Sequence, residues 1–135
     1  MNLLSNNCFE RTNIEKAILK AENNLEVAKM NKKLGYLLAS VSSSYFAYFW
    51  LVKALLFKKE IFDETYRGIR NKFREIYLKT DIIPHKYGLY WSELTNYREE
   101  ADYDLKSEFT REDIEAFINW TQEFLDYIKQ NIEKL

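Results

Sequence analysis

From Tyr36 to Leu56 the chain runs for 21 residues with few polar positions. A helix that is apolar almost all round must be packed on several sides or lie in a bilayer. Ser40, Ser42, Ser43, Ser44 and Lys53 interrupt the stretch, and both of its flanks are basic. A buried central helix fits these residues better than a membrane span. The rest of the chain offers little to build anything but helices around it. Three Gly and one Pro in 135 residues supply few of the tight turns that an all-β fold needs. Hydrophobic residues at 47% and charged residues at 30% are a globular balance, and the length suits one domain. The expected fold is all-α: an antiparallel up-down bundle of four to five helices, a single domain over residues 1–135 with its core at about 12–132.

Local patterns place the helices. Thr12-Asn13-Ile14-Glu15 reads as a capping box that starts a first helix at about 13–32. Ile14, Ala17, Ile18, Ala21, Leu25 and Ala28 make its apolar stripe, and Gly35 marks its break. The apolar helix follows at about 36–58. After a connection at 59–64, a third helix at about 65–79 carries Ile69, Phe73, Ile76 and Tyr77 inward. Pro84 suits the first turn of a fourth helix at about 84–102, where its missing N–H is not needed. Beyond a loop at 103–109, Thr110-Arg111-Glu112-Asp113 caps a fifth helix with the stripe Ile114, Phe117, Ile118, Thr121, Phe124, Leu125, Ile128 and Ile132.

Charge and cysteine narrow the function classes. The net charge of −1 implies no global attraction to nucleic acid. Its distribution is uneven: residues 65–80 carry five bases against one acid, and residues 99–135 carry eleven acids against four bases. Cys8 stands alone, so it forms no intrachain disulfide, which fits a reducing cytoplasm. Met1-Asn2-Leu3-Leu4-Ser5 lacks the basic-then-apolar order of a signal peptide. The expected location is cytoplasmic. There is no phosphate-cradling Gly-rich loop, no paired Cys and no His-Glu-x-x-His. One His and one Cys cannot make a metal site of imidazoles and thiolates. Neither metal nor cofactor is expected.

Four candidates remain. Arg67, Arg70 and Arg74 fall at i, i+3 and i+7 and share a helix face. They could track a phosphate backbone while a base stacks on Tyr66, or simply keep that face solvated. Arg98 and Asp102 stand at i and i+4, the weaker order for a helical ion pair, with Tyr103 and Asp104 beside them. Ser42-Ser43-Ser44 can bond back to carbonyls one turn earlier, admit a close neighbour, or line a polar pocket or dimer contact. His85 lies 13 residues before Arg98, about 20 Å along a straight helix at 1.5 Å per residue. The two cannot act on one phosphate within a chain, and His85 reads as a surface residue.

Several segments resemble the HEPN domain family. Ser42-Ser43-Ser44-Tyr45-Phe46-Ala47-Tyr48-Phe49 followed by Ala54-Leu55-Leu56 is similar to its central helix, Ser-Arg-Ala-Tyr-Tyr-Ala-x-Phe. Tyr66-Arg67-Gly68-Ile69 with Phe73 resembles the family's His-x-Gly-Val and Phe. Lys79-Thr80-Asp81-Ile82-Ile83-Pro84 and Tyr87-Gly88 resemble its helix-connecting segment. Arg98-Glu99-Glu100-Ala101-Asp102-Tyr103 looks like the Arg-x-x-Ala-Asp-Tyr signature of one subgroup. The resemblance implies a helical bundle that forms a homodimer and pairs with a minimal nucleotidyltransferase protein in a toxin-antitoxin system. It also implies a metal-independent ribonuclease site of Arg-x4–6-His near the dimer interface. Arg98 matches that arginine. Asp102 or Tyr103 stands where the histidine belongs, Tyr66 replaces the histidine of the third helix, and Ser43 replaces the arginine of the central one. A tyrosine with a pKa of about 10 is a poor base at neutral pH, and a carboxylate repels phosphate. The expectation is therefore a nucleotide- or RNA-binding component, with Arg98, Asp102 and Tyr103 as its centre and Arg67, Arg70, Arg74, Tyr66 and Ser43 as binding residues. The alternatives are a ribonuclease toxin and a non-catalytic protein-interaction module.

Overall fold

The computed structural model describes residues 3–135, with side chains from residue 12 onward. The expectations about Cys8 and the first five residues fall outside the described side chains. Five α-helices make up the fold, with no strand among the described residues: α1 (Leu3–Leu34), α2 (Leu37–Lys58), α3 (Tyr66–Phe73), α4 (Lys86–Tyr103) and α5 (Arg111–Asn131). The all-α bundle expected from the sequence is the one observed.

The first helix starts earlier than the Thr12 box implies. Residues 3–11 hold neither Gly nor Pro, so nothing breaks the helix there and α1 runs straight through Thr12. At its other end Gly35 adopts φ +86°. Tyr36 N–H bonds the Asn31 carbonyl at 2.8 Å and Gly35 N–H bonds that of Lys32 at 3.1 Å. This is a Schellman stop, in which glycine takes the left-handed position without a Cβ clash. The chain reverses at once, and α2 packs along α1. Ala17, Ala21 and Ala28 of α1 are buried, and their small side chains bring the helices close enough for Ser40 Oγ to donate to the Ala28 carbonyl at 2.7 Å.

Helix α2 is the spine. Twelve of its 22 residues are buried, Lys53 among them, and α1, α3, α4 and α5 all pack on it. Lys53 reaches out to donate to the Asp63 carbonyl at 3.0 Å. No helix among the described residues is long and apolar enough to cross a membrane. Helix α4 lies antiparallel to α2: Tyr48 O–H bonds the Tyr87 carbonyl at 2.6 Å, while Ser42 meets Asp102. Helix α5 is antiparallel to α4, with Lys86 against Glu123 and Tyr97 stacked on Phe117. It is also antiparallel to α1, with Lys32 against Glu115 and Lys129 against Glu22. Its capping box is as the sequence indicates: Thr110 Oγ1 accepts from Asp113 N–H at 3.1 Å, and Asp113 Oδ2 accepts from Thr110 N–H at 2.9 Å.

Helix α3 is the addition to this four-helix frame. Thr65 is its N-cap, accepting from Gly68 N–H at 3.0 Å. Asp63 Oδ1 in turn accepts from the Thr65 N–H and hydroxyl, each at 3.0 Å. Past Phe73 the helix widens into a π-turn over Arg74–Leu78, closed by Lys79 N–H to the Arg74 carbonyl at 2.8 Å. Ile69, Phe73 and Tyr77 are all buried. Side chains spaced by four drift about 40° per step on an α-helix. The wide turn takes the drift back, so Tyr77 still points inward and donates to the Leu55 carbonyl at 2.8 Å. The fourth helix begins at Lys86, two residues after Pro84, following a turn in which Tyr87 N–H bonds the Pro84 carbonyl at 3.2 Å.

Candidate functional site

On α2, Ser42, Tyr45, Phe46 and Phe49 fall at i, i+3, i+4 and i+7 and make one stripe. Antiparallel packing lays the end of α4 across it. The Arg98 guanidinium sits over Tyr45, with Cζ 5.1 Å from the ring centre, and over Phe46 at 5.4 Å. Both are cation–π distances. Tyr45 and Phe46 meet edge to face at 5.1 Å. Behind them Trp91 stacks on Tyr45, also at 5.1 Å. Burial pushes the Tyr45 hydroxyl up from its ordinary pKa, and the positive charges of Arg98 and Arg70 oppose the rise.

Asp102 fixes the arginine from its own helix. Its Oδ2 lies 2.9 Å from Arg98 Nε, and Ser42 Oγ donates to Oδ1 at 3.1 Å. The Nε contact is one of charge. Its angle is not that of a hydrogen bond, and the buried Nε–H has no acceptor. The Arg98 side chain keeps 22% of its exposure. The group is thus a guanidinium held by two rings and a carboxylate, partly open to solvent.

The other candidate residues lie at varying distances from this centre. Tyr103 is 79% exposed. It is five residues past Arg98, about 140° farther round the helix, in a shallow depression with Glu99, Glu100 and Asp104. It shares no contact with the guanidinium. Tyr66 joins the stripe from α3, with its ring 5.6 Å from Phe49. Ser43 faces away from Arg98: its hydroxyl donates to the Ala39 carbonyl at 2.9 Å and accepts from Asn31 of α1 at 3.3 Å. The place beside Asp102 belongs to Ser42. Arg67, Arg70 and Arg74 are exposed and form no ion pair among the described residues. Arg70 and Arg74 line a cavity between α3 and α4, and Arg67 does not. His85 stands at the opposite end of α4 from Arg98, bonded through Nε2 to Asp81 Oδ1 at 2.7 Å.

Sequence reasoning passed over Ser42, Tyr45 and Phe46 as partners of Arg98. Their shared spacing was visible, but which helix end lies on that stripe depends on the antiparallel register. Among the described residues no group of three or more His, Cys, Asp or Glu could hold a metal ion.

The HEPN domain matches residues 14–132. A Methanocaldococcus jannaschii protein, provisionally named a toxin, is 34% identical over 128 residues, covering 90% of this chain and 86% of the relative. A UPF0332 protein of Thermotoga maritima is 29% identical over 116 residues, covering 86% of this chain and 88% of its own. A second M. jannaschii protein with a provisional toxin name is 29% identical over 125 residues, covering 93% and 92%. With the match running from Ile14, three turns into α1, to the end of α5, the chain belongs to the HEPN domain family.

Proposed function

We propose that this chain is the toxin-like member of a two-component system with a minimal nucleotidyltransferase, and that it acts as a dimer by binding RNA or nucleotide phosphate at Arg98. Two relatives carry toxin names, which supports the toxin-like character. The observation that carries the binding reading is the held, partly open guanidinium of Arg98 over Tyr45 and Phe46. Orientation is already fixed before a phosphate arrives, so less freedom is lost on binding. The aromatic stripe beside it offers flat faces for bases, and base–aromatic stacking tolerates any sequence.

Cleavage needs a group that moves a proton. The nearest side chains to Arg98 are a carboxylate already engaged by the arginine and Ser42, and two aromatic rings. That arrangement suits binding better than general acid–base work.

The test is fluorescence anisotropy with a single-stranded RNA, run beside an incubation of the protein with cellular RNA. Binding without cleavage, lost in Arg98→Ala, is the expected result. Cleavage lost in the same variant makes the chain a metal-independent ribonuclease instead. An Arg98→Ala variant that binds RNA as the parent does removes Arg98 as the contact, and a parent chain that neither binds nor cleaves RNA leaves only a protein-interaction module. Light scattering of the purified chain reads the dimer. Co-purification with a co-expressed minimal nucleotidyltransferase reads the partner.

A further inference from the structure

A helix on the outside of a bundle normally turns a polar face to water, and α1 departs from this. Ala17, Ala21, Leu25 and Ala28 point inward and are buried. On the other side Leu19, Val27, Met30 and Leu34 keep between 49% and 63% of their exposure. At about 100° and 1.5 Å per residue, these four fall within an arc of about 80° and span about 22 Å. Asn23 is the only polar residue on that arc between Leu19 and Leu34. Asn23, Val27, Met30 and Leu34 step by four, three and four, the spacing of a coiled-coil seam. Tyr36 and Leu38, just past the Gly35 stop, are exposed too. A contiguous apolar patch of this kind marks a contact surface.

The charges beside the stripe indicate what covers it. One flank carries Glu22 and Glu26, then Lys29 and Lys33 nearer the C-terminal end. Glu26 pairs with Lys29 at 3.3 Å and Glu22 with Lys129 of α5 at 3.2 Å. Lys33 is exposed and forms no ion pair among the described residues. Acids followed by bases along one flank are complementary to the same flank reversed. An antiparallel copy that sets Val27 against Met30 also sets Asn23 against Leu34, and Lys33 then lands between Glu22 and Glu26 of the second copy. Two-fold symmetry makes each contact twice. A parallel copy would bring this flank against the opposite one, where Lys20, Asn24 and Asn31 offer no acid. We propose that the outward face of α1 binds the same face of a second copy, antiparallel and about a two-fold axis. Charges flanking such a seam set orientation, and a lone polar residue within it fixes register at some cost in stability. This contact is separate from a dimer at Arg98, which lies where α4 crosses α2. A chain with both faces assembles beyond a dimer.

Sedimentation velocity of the full chain, up to about 0.5 mM, tests it. The variant Val27→Glu/Met30→Glu halves the mass of the assembly, from four copies to two or from two to one. Both residues are exposed, and a thermal melt by circular dichroism verifies that the variant is folded. Charge exchange then separates a second copy from any other occupant. Glu26→Lys and Lys33→Glu each set like charges across the seam and weaken association by about tenfold. The combined variant Glu26→Lys/Lys33→Glu sets them opposite again and restores it, which a face made for a different protein would not do. The proposal is overturned if the parent is monomeric throughout. It is also overturned if Val27→Glu/Met30→Glu leaves the mass unchanged, which would place any dimer on another face and give the stripe to a different protein. A combined variant that associates no better than the single ones overturns the antiparallel pairing.

Discussion

Arg98 draws on shape as much as on charge. A guanidinium is planar and stacks on rings, whereas an ammonium is a compact point charge on a flexible stem. Arg98→Lys therefore keeps the charge but loses the seat on Tyr45 and Phe46. Its RNA affinity is expected to fall between those of the parent and Arg98→Ala, measured by the same anisotropy titration. Equal affinity for Lys and Arg would show that the rings do not matter. A second single-residue effect concerns acid. Hydrogen bonds from the Thr65 N–H and hydroxyl hold the Asp63 carboxyl below its ordinary pKa. A carboxylate with a depressed folded-state pKa stabilises the fold at neutral pH, and that contribution fades as pH drops below about 4. Amide protection factors at the start of α3, which remove the intrinsic pH dependence of exchange, should fall over that window. Asp63→Asn should be less protected already at neutral pH and show less of this change.

At the level of elements, the caps show what a sequence does and does not disclose. Thr65→Ala removes the acceptor for Gly68 N–H and should cost about 1 kcal/mol, read as a shift of the denaturation midpoint. The Thr110 box was legible because both partners lie within four residues and a loop precedes them. The Thr12 box has the same Thr-x-x-acid pattern, with Glu15 in place of Asp113, but is embedded in a run without a breaker, and α1 extends through it. A cap signal is local, and the helix-forming residues before it win. The cap at Thr65 and the π-turn went unseen for the opposite reason. Asp63 supports Thr65 from outside the helix, and the π-turn answers to the depth at which Tyr77 must meet Leu55. Neither is written in spacing alone. The buried stripes of α5 and α3 were legible except at Ile76 and Ile132, which are only partly buried, since burial follows helical period wherever a helix has one wet face. The choice between Ser42 and Ser43 was not. Consecutive residues point about 100° apart, and only the position of α4 decides which of them meets Asp102.

The whole molecule separates its charges by helix. The basic run lies on and just beyond α3, packed on α2, while much of the acid-rich segment is in α5, packed between α1 and α4. A net charge of −1 thus hides a basic face, and the proposed RNA binding makes a prediction for it. Three or four phosphate contacts at Arg98, Arg70 and Arg74 predict a log–log salt dependence of slope about −2 to −3 for a single strand. A slope near zero would place RNA elsewhere or nowhere. The core that carries this face is continuous. Phe124 stacks on Tyr48 at 4.6 Å and on Tyr87 at 4.9 Å, joining α5 to α2 and α4. Phe124→Ala should cost about 3–5 kcal/mol, measured by chemical denaturation, and should leave little folded protein at elevated temperature. The wide turn at Arg74–Leu78 also bears on how the chain tolerates changes of length. It holds one residue more than an α-turn would, and the loop that follows can absorb a shift. Deleting one residue there lets the segment close as ordinary helix. The same deletion in α2 would rotate every later side chain by about 100°, with packed neighbours on all sides and no slack to receive them. Insertions and deletions between related chains should therefore gather at the end of α3 and spare the spine.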